Sequence, residues 1–345
     1  MPSNIRIVSD IDECADLWQK NYPVECLFDL WQVRETFAKI YNREVFFVVC
    51  EESGRLKGLL PLCKVAQTAD RDITHSLSEN PEKRDIVEPL SKTVCYTFFP
   101  GEIWHNRTWM EQNKIIAQNR DVMRDMLLKV KADADERYGQ INVDIRYLCK
   151  NSLKYFPSGV GFNFTSDEVG YLFYPANYGY SHERYLASFS GKSRKKILSE
   201  VKKLEQQGFS FKYNNIDDLD TMFQLNINNF GDYGYFHDPK FLRSFKSLAD
   251  FLQTQQMLRV VTVIIDNEIA AVDMGAIWNN NCIMLAGGTN KNFPGIAKLI
   301  NLHHIEWASA QKIDSLDFLC GDFGWKERFH LTPRELYQIT LSDCI

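Results

Sequence analysis

Long apolar runs are missing from this sequence, as are clustered cysteines, nucleotide-binding signatures and any large surplus of charge. The longest apolar stretches, Leu258–Ile265 and Ile269–Trp278, are separated by Asp266, Asn267 and Glu268, and the second is interrupted by Asp273. Both fall far short of the ~20 apolar residues that a membrane-spanning helix needs. The opening Ile5-Arg6-Ile7 has no apolar run after its arginine, which predicts no secretory leader. The nine cysteines are an odd number scattered from Cys14 to Cys344 without a CxxC, and most, like Cys50 and Cys95, have apolar neighbours. That pattern predicts small buried thiols in a reducing, cytoplasmic setting. Metal ligands are not grouped either: His303 and His304 are adjacent, so on a helix they point about 100° apart and cannot share an ion. A net charge of −5 argues against broad coating of nucleic acid, while leaving room for a local basic patch. Neither GxxxxGK[ST] nor a complete GxGxxG occurs, which sets aside P-loop and dinucleotide-binding readings.

What the chain does have is bulk. Its 345 residues are 45% hydrophobic and include 23 Phe, 15 Tyr and 7 Trp. Side chains of this size repay the entropy of ordering, so disorder is excluded and roughly two domains are expected. Strand-like and helical segments interleave throughout, which predicts an α/β (α+β) class with mixed sheets. Val45–Cys50 is a continuous apolar run, followed across a turn at Gly54 by Leu56–Lys64. Leu258–Ile265 and Ile269–Trp278 repeat that design around Asp266-Asn267-Glu268, and Gly54–Leu62 aligns with Asn267–Gly275. Each pair is preceded by an aromatic-rich helical stretch: Trp18, Phe28, Trp31 and Phe37 in one, Phe223, Phe230, Phe241 and Phe245 in the other. One supersecondary unit is therefore expected to occur twice, in domains spanning 1–175 and 176–345. The polar segment Gln67–Ser91 reads as an exposed loop or insertion. Further helices are expected over Asn119–Arg137, His182–Gln207 (broken near Ser190–Ser193), Asp217–Phe230 and Gly295–Lys312, the third capped by Asp217 or Asp218.

Four features carry chemistry. The first runs from Gly287 to Lys298 between a strand at Cys282–Ala286 and a helix; it is either a plain turn or a set of free amides at a helix N-terminus suited to phosphate, with Lys298 adding charge. The second is the helix Lys192–Lys203, which puts Ile197, Val201 and Leu204 on one face and bases on the other. A solvated surface explains it, and an anionic cofactor or RNA is the alternative. Third, Leu316–Phe329 packs Asp317, Asp322, Lys326 and Arg328 among aromatics and two glycines, as a salt-bridged loop or as a site. Asp273 is the fourth: a carboxylate in an apolar strand must pair, face solvent or serve as a general base. Cys320 has no histidine placed by sequence to activate it.

Together these residues resemble the GNAT-fold acyltransferases of the CelD type and their FemABX aminoacyltransferase relatives. The resemblance spans about 181–330 and, more faintly, 10–65. It rests on Phe189-Ser190-Gly191-Lys192-Ser193-Arg194, Asp238-Pro239-Lys240-Phe241, the hairpin Val260–Ala276, Pro294-Gly295 opening a helix that reaches Glu306-Trp307, and Asp317-Phe318 followed by Gly324-Trp325-Lys326. Phe98–Glu102 is similar to an aromatic-Gly-Gly segment of the first FemABX domain, with Pro100 in place of one glycine. The resemblance implies two GNAT-like domains with mixed central sheets flanked by helices, the first partly degenerate. It also implies acyl transfer from acyl-CoA to a small-molecule or peptide amine. Gly295, Ile296, Ala297 and Lys298 would meet the donor's pyrophosphate, with Lys192 and Arg194 nearby. Lys326 would steady the oxyanion, and Asp273 or Asp322 would accept the proton. Two alternatives follow from the same residues: aminoacyl-tRNA as donor, with tRNA held by the basic helix, and a non-catalytic ligand-binding protein on the same fold. The usual Q/RxxGxG/A loop of GNAT proteins is reduced here to Asn290–Gly295, and Arg194–Gln207 is too short for the tRNA-binding coiled-coil hairpin of many FemABX proteins.

Overall fold

Alternation and continuity of apolar residues decide where strands form, and the computed structural model shows them closing into two separate cores. It describes residues 4–66, 94–102, 108–138, 141–156, 162–321 and 324–341; the polar segment 67–91, Asp322 and Cys344 lie outside these. The chain divides into two units, Met1–Glu168 with Glu335–Ile345, and Val169–Arg334.

Along the chain the first unit contributes β1 (Asn4–Val8), α1 (Ile11–Asn21), α2 (Trp31–Tyr41), β2 (Glu44–Glu52), β3 (Arg55–Ala66), β4 (Val94–Phe98), a short β5 (Ile116–Ala117), α3 (Arg120–Tyr138) and β6 (Ile141–Leu148). There follow β7 (Phe162–Phe173), α4 (His182–Ala187), α5 (Gly191–Gln207), β8 (Ser210–Tyr213), α6 (Asp218–Phe230), α7 (Pro239–Thr254), β9 (Leu258–Ile265), β10 (Glu268–Trp278) and β11 (Asn281–Thr289). The chain closes with α8 (Ile296–Ala310), β12 (Ser315–Asp317) and β13 (Thr332–Leu341).

The two units repeat one topology. In the first, β1, β2, β3 and β4 pair antiparallel in that order, and β4 then pairs parallel with β6. In the second, β8, β9, β10 and β11 pair antiparallel in that order, and β11 pairs parallel with β12. Each parallel step is bridged by a helix, α3 or α8, as a same-direction crossover requires. The remaining strands come from elsewhere in the sequence: β13 pairs antiparallel with β6 through Leu341↔Val143, and the end of β7 pairs antiparallel with β12 through Phe173↔Leu316 and Leu172↔Asp317. The C-terminal strand therefore belongs to the first unit, because β6 is its hydrogen-bonding partner.

Core burial follows the periodicities. In the first unit Phe46, Phe47, Val48 and Val49 of β2 are buried on both faces, with Trp18 of α1 and Met126 and Val130 of α3 against them. In the second, Ile197, Val201 and Leu204 of α5 and Ile296, Ile300 and Ile305 of α8 cover Val261, Val263 and Ala271 of the sheet. Each such side chain contributes about 1.5–3 kcal/mol relative to exposure. Capping differs from expectation at α6. Asp217 stands at the N-cap but its side chain makes no capping bond. Asp218 instead accepts from Thr262 Oγ1 (2.7 Å), Asn215 Nδ2 (2.6 Å) and Lys212 Nζ (3.1 Å), tying α6 to β8 and β9. The break near Ser190 is real: Ser190 caps α5 by accepting from Ser193 N–H. Among the described residues no helix is long and apolar enough to cross a membrane.

Candidate active site

In the second unit two neighbouring parallel strands separate. The β11–β12 ladder lasts three pairs, Asn281↔Ser315 to Ile283↔Asp317. Beyond it β12 turns away: Phe318 N–H donates to Tyr171 O (2.8 Å), and Tyr171 N–H donates to Leu319 O (3.2 Å). Strand β11 runs on to Thr289, and its pairing with β10 shifts register between Met274 and Gly275, so that Leu285 is an extra, bulged residue. Bulges of this kind re-aim a strand and are common beside active sites. Met284, Ala286, Gly287 and Thr289 along this stretch are only half-buried.

Lys326 holds the turn that parts the strands. It is buried, and its ammonium donates to the carbonyls of Phe318 (2.8 Å), Leu319 (2.7 Å) and Cys320 (2.8 Å). An ammonium has three protons, and all three are engaged. Asp317 at the end of β12 is likewise committed. It accepts from Leu319 N–H (2.9 Å) and from Arg334 Nη1 (2.6 Å).

Asp273 lies on β10 opposite Gly287 of β11. Its Oδ1 occupies the place that a Cβ at Gly287 would take, so the carboxylate leans across β11. The other oxygen, Oδ2, meets His304 Nε2 at 2.9 Å, and His304 Nδ1 meets Arg259 Nη1 at 2.8 Å. Sequence reading assigned Asp273 as a candidate but paired it with neither partner, since His304 and Arg259 lie on α8 and β9; the alternating pattern of β9, which puts Arg259 inward, was the available signal. The glycine pair expected in a phosphate loop is inside β11: Gly287 admits Asp273, and Gly288 admits the Met222 carbonyl of α6.

The helix α8 begins at Gly295, whose φ of 95° is left-handed backbone. A Cβ there would fall 2.8 Å from Glu200 Cβ of α5. Lys298 forms an ion pair with Glu200 at 2.5 Å. Ile296 is buried in the core and Ala297 is exposed. A carboxylate thus stands at the helix end where sequence reading places a pyrophosphate. Lys192 and Arg194 are exposed on α5, along with Lys195, Lys196, Lys202 and Lys203. Asp322 lies outside the described residues.

The cysteines carry little reactivity. Cys14, Cys26, Cys95 and Cys282 are buried, and burial pushes each thiol up to about 12. None of the eight described cysteines is in a disulfide. Among the described residues no three His, Cys, Asp or Glu side chains gather as metal ligands.

A strand, two helices, three antiparallel strands, a crossover helix and a parallel strand follow one another in the GNAT fold; the chain carries that series twice, and in the second unit the parallel strand splays from a bulged neighbour. Residues 191–327 match the family model described as an acetyltransferase (GNAT) domain. No curated protein matches the sequence. Among solved structures, FemX is similar over 96% of this chain and 96% of its own, with 11% identity and a TM-score of 0.56. L-PGS from Bacillus licheniformis is similar over 98% of this chain and 93% of its own, at 10% identity and a TM-score of 0.54. A tandem GNAT protein from the clavulanic acid biosynthesis pathway is similar over 99% and 98%, at 9% identity and a TM-score of 0.52. At these identities the likeness is one of fold.

Proposed function

We propose that the second unit transfers an acyl group from an activated carboxyl donor, acyl-CoA in the first instance, to the nitrogen of a small-molecule or peptide amine. The parting of β11 from β12 beside the bulge at Leu285 carries this reading, since it leaves strand-edge backbone available to an extended donor. In the reaction the amine nitrogen bonds to the donor carbonyl carbon while a proton passes from nitrogen to Asp273 Oδ1. The carbon–sulfur or carbon–oxygen bond of the donor then breaks, and the leaving atom takes that proton. Asp322 is the alternative acceptor. Lys326 keeps the turn after β12 in place; acting on the oxyanion directly, it would exchange one of its three carbonyls for the reacting oxygen.

The first unit fills the corresponding space with its own chain. Asn113 N–H donates to Tyr147 O (2.9 Å) and Cys149 N–H to Asn113 O (3.0 Å), so residues beyond β4 pair with the end of β6. This supports a donor site in the second unit alone.

A second reading, aminoacyl-tRNA as donor, is favoured by two observations: Glu200 stands at the N-terminus of α8, and α5 turns Lys192, Arg194, Lys195 and Lys196 outward. The phosphate backbone of a nucleic acid would meet such a face by charge. Thiols outside disulfides, most of them buried, fit a cytoplasmic reaction. Incubating the protein with labelled acyl-CoAs or charged tRNA, each with a panel of amines, tests both readings. Consumption of one donor selects it, and consumption of neither by a folded protein removes both.

A further inference from the structure

A chain of three ionisable side chains, Arg259, His304 and Asp273, runs through the core of the second unit. Arg259 on β9 is almost fully buried, with its guanidinium carbon 3.9 Å from the Trp307 ring centroid. His304 on α8 is fully buried, and Asp273 on β10 nearly so. The hydrogen-bond directions are fixed by chemistry. A guanidinium only donates, so Arg259 Nη1 gives a proton to His304 Nδ1, which must be bare. The imidazole proton then resides on Nε2 and is given to Asp273 Oδ2. With Nδ1 accepting from Arg259 the ring is neutral, and burial lowers His304 from its ordinary value, against the raising effect of Asp273. A cation, a neutral ring and a carboxylate make a chain without net charge, which is how such groups are tolerated inside an apolar core.

The chain also has a direction. Oδ2 is tied to His304, while Oδ1 leans over Gly287 toward the half-buried stretch of β11 beyond the bulge. We propose that His304 is a positioning residue for acyl transfer: held by Arg259, it fixes the Asp273 carboxylate with Oδ1 turned toward the parted edge of β11, ready to take the amine proton. This rests on the acyltransferase reading above. A proton acceptor needs one lone pair aimed at the substrate, and a carboxylate on a single-bonded stem swings freely unless its second oxygen is tied. The other titratable groups facing this chain are Cys282 on β11, His303 on α8 and Tyr213 on β8, with Asp317 on β12 behind Cys282. Burial pushes the Cys282 thiol up to about 12 and His303 down to about 4, and Asp317 is engaged by Arg334. Neither Cys282 nor His303 changes charge between pH 5 and 8.

Two variants separate positioning from mere packing. In His304→Gln the amide nitrogen donates to Asp273 and the amide oxygen accepts from Arg259, so the chain survives; in His304→Leu it does not. With the donor that the wild type consumes, His304→Leu is expected to lower kcat by about tenfold to a hundredfold, part of what a general base supplies. Its KM for donor stays unchanged, and the acid limb of its pH–rate profile moves to higher pH, because the ionised carboxylate has lost a donor. His304→Gln is expected to recover both. A folded, active His304→Leu with the wild-type pH profile overturns the proposal. A second measurement needs no turnover and no variant: ¹⁵N-histidine NMR of the wild type should show His304 neutral from pH 5 to 8, with its proton on Nε2. A proton on Nδ1 or a titrating ring overturns the chain itself. Absence of transfer by the wild type with every donor would instead overturn the functional reading and leave the NMR result to stand separately.

Discussion

Glu200 of α5 sits on Gly295 at the start of α8, close enough that a Cβ at Gly295 would lie 2.8 Å from Glu200 Cβ and 3.4 Å from its carbonyl carbon. The same glutamate reaches Lys298 in the first turn of α8. One short contact thus joins the two helices that flank the expected donor seat, and it puts a negative charge where a helix end favours anions.

Gly295→Ala is expected to destabilise the protein. The residue holds φ at 95° and faces helix backbone, so neither the dihedral nor the space suits a methyl group. A loss of about 1–3 kcal/mol is expected from the strained backbone, read as a lower urea midpoint at unchanged slope. An unchanged midpoint would mean that α5 does not pack on this glycine.

Glu200→Ala frees the N-terminus of α8 and Lys298. Affinity for inorganic pyrophosphate or desulfo-CoA should rise by about fivefold at low salt, the worth of a charge at a helix end, and the gain should fade as salt is added. Stability should fall by less than about 1 kcal/mol, because the ion pair is solvent-exposed. Calorimetric titration at two salt concentrations measures both. No gain would place the donor's phosphates away from α8.

Lys326→Met keeps the length of the side chain and removes three donors. The carbonyls of Phe318, Leu319 and Cys320 lose their shared partner, at an expected cost of about 2–4 kcal/mol, with loss of transfer as the turn after β12 relaxes. Denaturant melts beside kinetics decide the role. A variant as stable as wild type that loses only kcat would show the ammonium acting on the substrate.

Asp218→Asn has a pH signature. Burial alone would raise this carboxyl, but bonds from Thr262, Asn215 and Lys212 outweigh it and hold the group below its ordinary value. A depressed carboxylate contributes stability that is present above the ordinary value of 3.8 and is lost as pH falls through the lower folded value. The variant should therefore be about 1–2 kcal/mol less stable at pH 7, and the difference should shrink below pH 3.8. Urea melts across pH 2.5–7 test the sign; a difference that grows on acidification would contradict it.

Local pattern carried much of the fold. Continuous apolar runs marked β2 and β9, helical spacing marked α3, and Ser190 with Gly191 marked the start of α5, because each signal depends on near neighbours in sequence. Strand β1 and the extension of β7 back to Phe162 were not legible, since Asn4–Val8 and Phe162–Glu168 are short or polar and owe their conformation to the strands they join.

Sequence alone determined the class: an α/β chain with two similar strand–helix units, no membrane-crossing run, and Asp273 and Lys326 as residues needing an account. Only the tertiary structure decided what they meet. Three backbone carbonyls converge on Lys326, and Arg259 and His304 converge on Asp273 from 14 residues before it and 31 after it along the chain. Gly295 packs against Glu200 of α5. Such meetings are set by how sheets and crossover helices close on one another, and a linear pattern encodes the faces that pack without naming the partners that meet there.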